Sequence, residues 1–463
     1  MAKMLASISA LLMSVAFLVF GHGLQSTLLP LAANQADFSE LAIGMVSSGY
    51  YVGMVLGCLG APHVIMRAGH IRALAALVSL MSASAILHPV FVEPVAWFLI
   101  RVVSGFCLAG FYTIVESWLH ETATNETRGT VMSIYIVVLF ASMMIGQVSI
   151  AGMELTSFVP FAVASVAVSL AVMPVCLTTA NQPAPITLVQ FRPAKLYKTS
   201  PAALVGTLLI GVANGAMWSL SPLYGSEIGL TTNQAAVYAA SIIAGGMISQ
   251  WPIGRLSDKM DRRLVLIALA VISAVIALAI ALLPTSSFPT ALMLAMVIGF
   301  FSQPTYSVAV SHAFDHAAPE DFVETSSGLL MAFGLGSVAG PIAASLLMVS
   351  SGPAGLYLLV AIVYSAMGVF ILTRVFARSA LDPEDKTDFE FAATAQIGAV
   401  VSPEPLDTEA ANVIAPEDFP AYDDMAHSSE TDTITEELIS ADQSESSGDE
   451  EDKPATPVPE GLG

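Results

Sequence analysis

Apolar residues in this chain come in long unbroken runs separated by short polar or turn-forming clusters, not in alternating or striped patterns. A helix rises about 1.5 Å per residue, so about 20 mostly apolar residues cross the hydrocarbon core of a bilayer. Twelve runs satisfy that length: 5–32, 41–65, 71–89, 94–119, 128–152, 158–178, 202–225, 232–254, 263–283, 288–312, 324–349 and 354–376. The first follows Lys3 and begins like a signal sequence. Its apolar stretch continues well beyond an h-region of about 7–15 residues, so it reads as a retained span.

The longest break within the apolar part, residues 180–201, is basic and interrupted by prolines, with no span of its own. It divides the runs six and six. Arg67-Ala-Gly69-His-Ile-Arg72 after run two parallels Lys259-Met-Asp261-Arg262-Arg263 after run eight at an offset of 192, as parallel repeats would. The pattern predicts an all-α membrane protein of twelve transmembrane helices in two pseudo-symmetric six-helix bundles. Residues 1–179 form one bundle, 180–201 a linker, 202–377 the second bundle, and 378–463 a tail.

Composition sharpens this division. The whole chain has 37 acids against 16 bases, but residues 378–463 hold 23 of the acids and 3 of the bases. The tail is therefore strongly acidic and too poor in apolar residues to offset the entropy of ordering, so it is expected to be disordered. The remainder is nearly neutral, and a mean hydropathy of +0.74 over the full chain excludes an ordinary soluble enzyme. No basic face exists to neutralise nucleic-acid phosphates. Cys58, Cys107 and Cys176 lie inside apolar runs and suggest neither a disulfide framework nor a metal site. No cofactor is expected.

Orientation follows from the lysines and arginines, which stay cytoplasmic. With Arg101 set aside, all fifteen basic residues fall on one side of an even-numbered topology, whereas Asp37, Glu40, Glu93, Glu154 and Glu227 fall on the other. Both termini are thus expected in the cytoplasm. The sequon Asn125-Glu126-Thr127 then lies in a cytoplasmic loop and is a chance match.

After run eight the chain reads Gly254-Arg255-Leu256-Ser257-Asp258-Lys259-Met260-Asp261-Arg262-Arg263. This resembles the loop signature of the major facilitator superfamily, which usually has Gly at the position of Asp261. The first-half copy is degraded, with Met66 where the Asp belongs and Pro62 where the first Gly belongs. Arg101-Val-Val-Ser-Gly105 and Glu126-Thr-Arg128-Gly129 resemble two further elements of that family. Gly69-His-Ile-Arg72, Gly105-Phe-Cys-Leu-Ala-Gly110, Glu116-Ser-Trp118 and Gln250-Trp-Pro-Ile-Gly254 make residues 1–377 similar to its bacterial YcaD-like branch. The resemblance implies a monomeric secondary transporter with a small-molecule substrate, embedded in membrane lipid. It also implies a cytoplasmic gate built from Gly254, Asp258, Lys259, Arg262, Arg263 and Arg128. Asp258 would accept hydrogen bonds from the start of run five, around Thr127 to Gly129, where the helix dipole favours negative charge. A solvated turn that only sets topology is the plainer reading of the same residues.

Polar groups inside the spans are the remaining candidates. An arginine at the bilayer centre costs at least about 2.5–3.5 kcal/mol, so Arg101, some seven residues into run four, must face a wet cavity or a partner. In the resembling family the first and fourth helices of each half line the cavity. That implies a substrate set of His22, Gln25, Arg101, Tyr112, Asn214, Trp218, Gln303 and Tyr306. His22 could carry a coupling proton; so could Glu116, the carboxylate set deepest within a span. Core packing is the alternative for each residue taken singly, and for Glu116 a structural pairing with Arg128 or the His120 region. The glycines at 49, 53 and 57 and at 336 and 340 indicate close helix contact.

One buried cation without a matching mid-membrane acid favours a small anionic or zwitterionic organic solute moved by alternating access, with proton coupling. The rivals are a multidrug or lipophilic-cation antiporter, which needs an accessible anion, and a non-transporting sensor or scaffold that presents the acidic tail. No nucleophile–base or metal-ligand spacing suggests an enzyme.

Overall fold

The computed structural model describes residues 2–123, 127–177, 192–283, 287–318 and 321–377. The acidic tail, the linker up to residue 191 and most of the sequon lie outside the described residues. The described helices fall in one compact unit, Met1–Ser402; a second unit, Pro403–Gly463, lies wholly outside them.

Fifteen helices occur among the described residues. The first half contains α1 (Ala2–Gln35), α2 (Glu40–Ala68), α3 (His70–Leu87), α4 (Pro94–Thr122), α5 (Arg128–Val148), α6 (Val159–Leu170) and α7 (Val172–Cys176). A short α8 (Pro193–Thr199) belongs to the linker. The second half contains α9 (Pro201–Glu227), α10 (Thr232–Lys259), α11 (Arg262–Leu282), α12 (Phe288–Ser302), α13 (Thr305–Phe314), α14 (Phe322–Ser351) and α15 (Ala354–Ala377). Twelve stretches among them are long and apolar enough to cross a membrane, one for each apolar run.

Two spans are broken, and proline accounts for both breaks. Pro174 cannot donate to the carbonyl of Leu170, where α6 stops, and Pro304 cannot donate to that of Phe300, so α12 and α13 meet at a bend. Helix starts are set by local chemistry as well. The Ser39 hydroxyl accepts from the amide of Ala42 at 3.3 Å. Thr231 and Gln234 form a reciprocal capping box at the start of α10.

Lipid tails are as apolar as the helices, so association within each half depends on close backbone approach. A methyl group at Gly53 would overlap the carbonyl of Val102, and one at Gly105 the carbonyl of Tyr50, which locks α2 onto α4. In the second half Gly245 meets Met296 and Gly299 meets Ile242 in the same way, locking α10 onto α12. Gly53 and Gly245 are separated by the repeat offset of 192, as are Gly23 of the α1–α5 contact and Gly215 of the α9–α14 contact. The two halves thus interlock internally by one scheme. Between them, α1 packs on α9, α2 on α14 and α5 on α10.

Candidate functional site

The i, i+3/i+4 spacing of a helix puts His22, Gln25, Ser26, Leu29, Pro30 and Ala33 on one face of α1, and that face lines a cavity. Pro30 lacks an N–H and so withholds the usual intrahelical bond from the Ser26 carbonyl. Ile43, Val46, Ser47, Tyr50 and Tyr51 of α2 form the adjoining wall, and α4 contributes Arg101. Met143 and Gln147 come from α5. The second half closes the chamber with Trp218 and Ser219 of α9 and Ile243 of α10. The space among these residues amounts to about 740 Å³, open solvent included.

Tyr50 organises the charged end. The Arg101 guanidinium carbon lies 4.5 Å from the centroid of its ring. The His22 ring stacks on it at 5.1 Å, and Tyr51 meets it edge-on at 5.0 Å. The Gly53 and Gly105 contacts hold these groups in register, since they fix α2 against α4 beside Tyr50 and Arg101. A cation–π contact contributes about 0.5–2 kcal/mol, whereas burying an unpaired ion costs several. No Asp or Glu among the described residues pairs with Arg101, and none lines the cavity. Arg101 is buried, with 7% of its surface accessible, and it lines the chamber.

Other polar atoms in the walls are similarly uncommitted. His22 Nδ1, both side-chain polar atoms of Gln25, the Tyr50 hydroxyl, Gln147 Oε1 and Trp218 Nε1 have no protein partner among the described residues. Buried polar groups are nearly always hydrogen-bonded, so these donors and acceptors beside the chamber are groups for a solute or water to complete. Other polar groups of the wall are engaged. Gln147 Nε2 donates to Ser26 Oγ at 3.3 Å. The Tyr51 hydroxyl donates to the Gly215 carbonyl at 3.4 Å and accepts from Ser219 at 3.4 Å, which ties the first half to the second.

Of the eight residues expected to line a cavity, His22, Gln25, Arg101 and Trp218 converge here. Tyr112, Asn214, Gln303 and Tyr306 do not line it. Tyr112 is fully buried within the first half. Tyr364 donates to Asn214 at 3.4 Å, Gln303 packs under Gly246, and Tyr306 meets Phe333 edge-on. Glu116 lies outside the chamber, where its carboxylate accepts from the Tyr135 hydroxyl at 2.9 Å. Sequence reasoning missed Ser26, Tyr50, Tyr51, Gln147 and Ser219. The pair Tyr50-Tyr51 between Gly49 and Gly53 was the available signal: two polar-tipped rings amid small residues on a tightly packed helix.

At the opposite, basic end of the bundle the Gly254–Arg263 segment spends much of its charge inside the second half. Arg262 is buried and lies 3.3 Å from Asp315, itself buried, and 3.4 Å from Asp258. Arg263 reaches Asp261 at 2.7 Å. Asp261 also caps α11 by accepting from the amide of Arg263 at 2.9 Å. Its backbone is not left-handed, φ −57°, so the glycine usual at that position is not required for the turn. Burial alone would raise the Asp261 carboxyl, but the hydrogen bonds and charge of Arg263 outweigh it and hold the group below the usual aspartate range. Gly254 is buried, and Lys259 is exposed at the end of α10. The Arg128 side chain lies outside the described residues.

A family model described as Major Facilitator Superfamily matches residues 11–285 and 203–411. The chain belongs to the major facilitator superfamily. Within that superfamily it falls in the YcaD-like branch. An uncharacterized MFS-type transporter of Yersinia pestis (strain Pestoides F) is 29% identical over 338 residues, covering 70% of this chain and 84% of the relative. The uncharacterized MFS-type transporter YcaD of Salmonella arizonae is 26% identical over 366 residues, covering 76% and 92%. The crystal structure of a point mutant of the nucleoside transporter NupG superposes with a TM-score of 0.66 at 15% identity, covering 79% of this chain and 99% of that one, a likeness of fold. The superfamily membership makes this an integral membrane protein and a secondary transporter.

Proposed function

We propose that this transporter moves a small organic solute bearing an anionic group, with Arg101 as its counter-ion, by alternating access between the bundles 1–179 and 202–377. The observation that carries the reading is a single guanidinium facing a chamber walled by both halves, with no carboxylate lining it. A lipophilic cation would find no anion there. A zwitterion would have its carboxylate matched and its ammonium met only by ring faces and amide oxygens.

The transporter works as a monomer in the inner membrane, with both termini in the cytoplasm and the cavity toward the opposite face. Proton coupling falls to His22, which shares the Tyr50 ring with Arg101, and not to Glu116, which Tyr135 engages outside the chamber. The Gly254–Arg263 segment, with Arg128, gates the cytoplasmic side.

Uptake into proteoliposomes of a panel of radiolabelled organic anions tests the reading. At least one anion should show saturable flux in the wild type, and Arg101→Gln should reduce kcat/KM for it at least a hundredfold, about 2.7 kcal/mol. Undiminished flux in Arg101→Gln would overturn the counter-ion assignment.

A further inference from the structure

The lining of the chamber is not uniform along the membrane normal. α1 and α2 run antiparallel and join through the short turn between Gln35 and Glu40, so distance from that turn is a common depth scale for both. On α1 the polar lining residues His22, Gln25 and Ser26 lie deep, and the apolar ones, Leu29, Pro30 and Ala33, lie near the turn. On α2 the order is mirrored: Ser47, Tyr50 and Tyr51 are deep, and Ile43 and Val46 are near the turn. Arg101, Gln147, Trp218 and Ser219 join the deep band, where Met143, level with Gly23, and Ile243 are the apolar exceptions. From His22 to Ala33 the graded wall extends about 16 Å at 1.5 Å per residue. The charge is therefore confined to one end of the chamber, and the other end offers only hydrocarbon and a proline ring.

Resting on the anionic-solute reading, we propose that the substrate class is narrower: an amphipathic monoanion, its carboxylate at Arg101 and its apolar body lying along Leu29, Pro30, Ala33, Ile43 and Val46 toward the α1–α2 turn. The open donors at the deep end, Gln25 Nε2 and Trp218 Nε1, are suited to the second carboxylate oxygen or to a polar substituent beside it. A second charge at the far end of the solute would lie beside five apolar side chains with no cation to pair it, which disfavours dicarboxylates. An ammonium beside the carboxylate would meet Arg101 with no acid to balance it, which disfavours amino acids. Sugars and nucleosides would leave the apolar wall wet.

The test is binding of straight-chain monocarboxylates from butanoate to decanoate to the purified full chain in lipid nanodiscs, with empty discs subtracted. Octanol, octanedioate and 2-aminooctanoate serve as comparisons. Each added methylene should tighten binding about fourfold until the wall is covered. Octanoate should outbind all three comparison compounds at least tenfold. Val46→Phe, and independently Ala33→Phe if the first variant fails to fold, should move the preferred chain length shorter. Binding that needs Arg101 but does not change with chain length would overturn this inference and leave the anionic-solute reading standing. So would tighter binding of octanedioate or 2-aminooctanoate. Equal weakening of every chain length in both variants would show that the apolar band closes the mouth and holds no ligand, and would overturn the inference as well. Failure of every carboxylate to bind, or equal binding of octanoate and octanol, would overturn the reading beneath it.

Discussion

Aspartate 261 and arginine 101 show opposite ways of holding charge in this molecule. Asp261 is matched locally, by the amide and guanidinium of Arg263, and its carboxyl is held below the ordinary aspartate range. A group depressed in the folded state contributes stability that is fully present above its unfolded pKa and is lost as the pH falls through the folded one. Asp261→Asn should therefore lower thermal stability at neutral pH. The deficit should shrink and vanish as the pH is taken below the normal aspartate range, a convergence that melting curves from pH 7 to pH 2.5 would reveal. Arg101 has no such match, and that imbalance was legible in the sequence because an arginine within an apolar run is an energetic anomaly. His22, Gln25 and Trp218 were expected because they lie mid-span on helices that the family resemblance places around a cavity. Tyr50 and Tyr51 were not, since they lie on the second span, outside that set. Tyr112, Asn214, Gln303 and Tyr306 sit on helices of the expected cavity-lining set but do not line this chamber. A helix that is apolar all round carries no moment to tell its inward face from its lipid face.

At the level of helices, the twelve spans were readable because lipid imposes a length that apolar composition records directly. The bends at Pro174 and Pro304 were not resolved from the runs, since a broken span and a continuous one have the same composition. What composition hides, the glycines partly disclose. Gly105→Ala should force α4 away from Tyr50, cost about 1–3 kcal/mol and weaken anion binding. Gly299→Ala, its counterpart at the α10–α12 contact, should cost a similar amount and leave binding unchanged. Denaturation and ligand titration of the two variants side by side separate these effects. The basic end gives a second contrast. Asp315→Ala leaves Arg262 buried with one charge partner removed and should destabilise by about 3 kcal/mol. Asp258→Ala, at a more exposed carboxylate, should cost about 1 kcal/mol or less in the same denaturation assay.

Across the whole molecule, the acidic tail bears on whether transport is the chain's task. Removing residues 379–463 should leave proteoliposome flux within about twofold of the full chain, because the chamber and both bundles lie upstream of it. A phenotype that vanished with the tail while flux persisted would point to a presenting role beside transport. The backbone-to-backbone contacts at Gly23, Gly53 and Gly105, repeated at Gly215, Gly245 and Gly299, carry a mechanical consequence. Main chains wedged this tightly have no slack to slide, so each half moves as a stiff lever. The give required for passage then falls to contacts between the halves, such as those of the Tyr51 hydroxyl with Gly215 and Ser219, and such bonds can be broken and remade at every stroke.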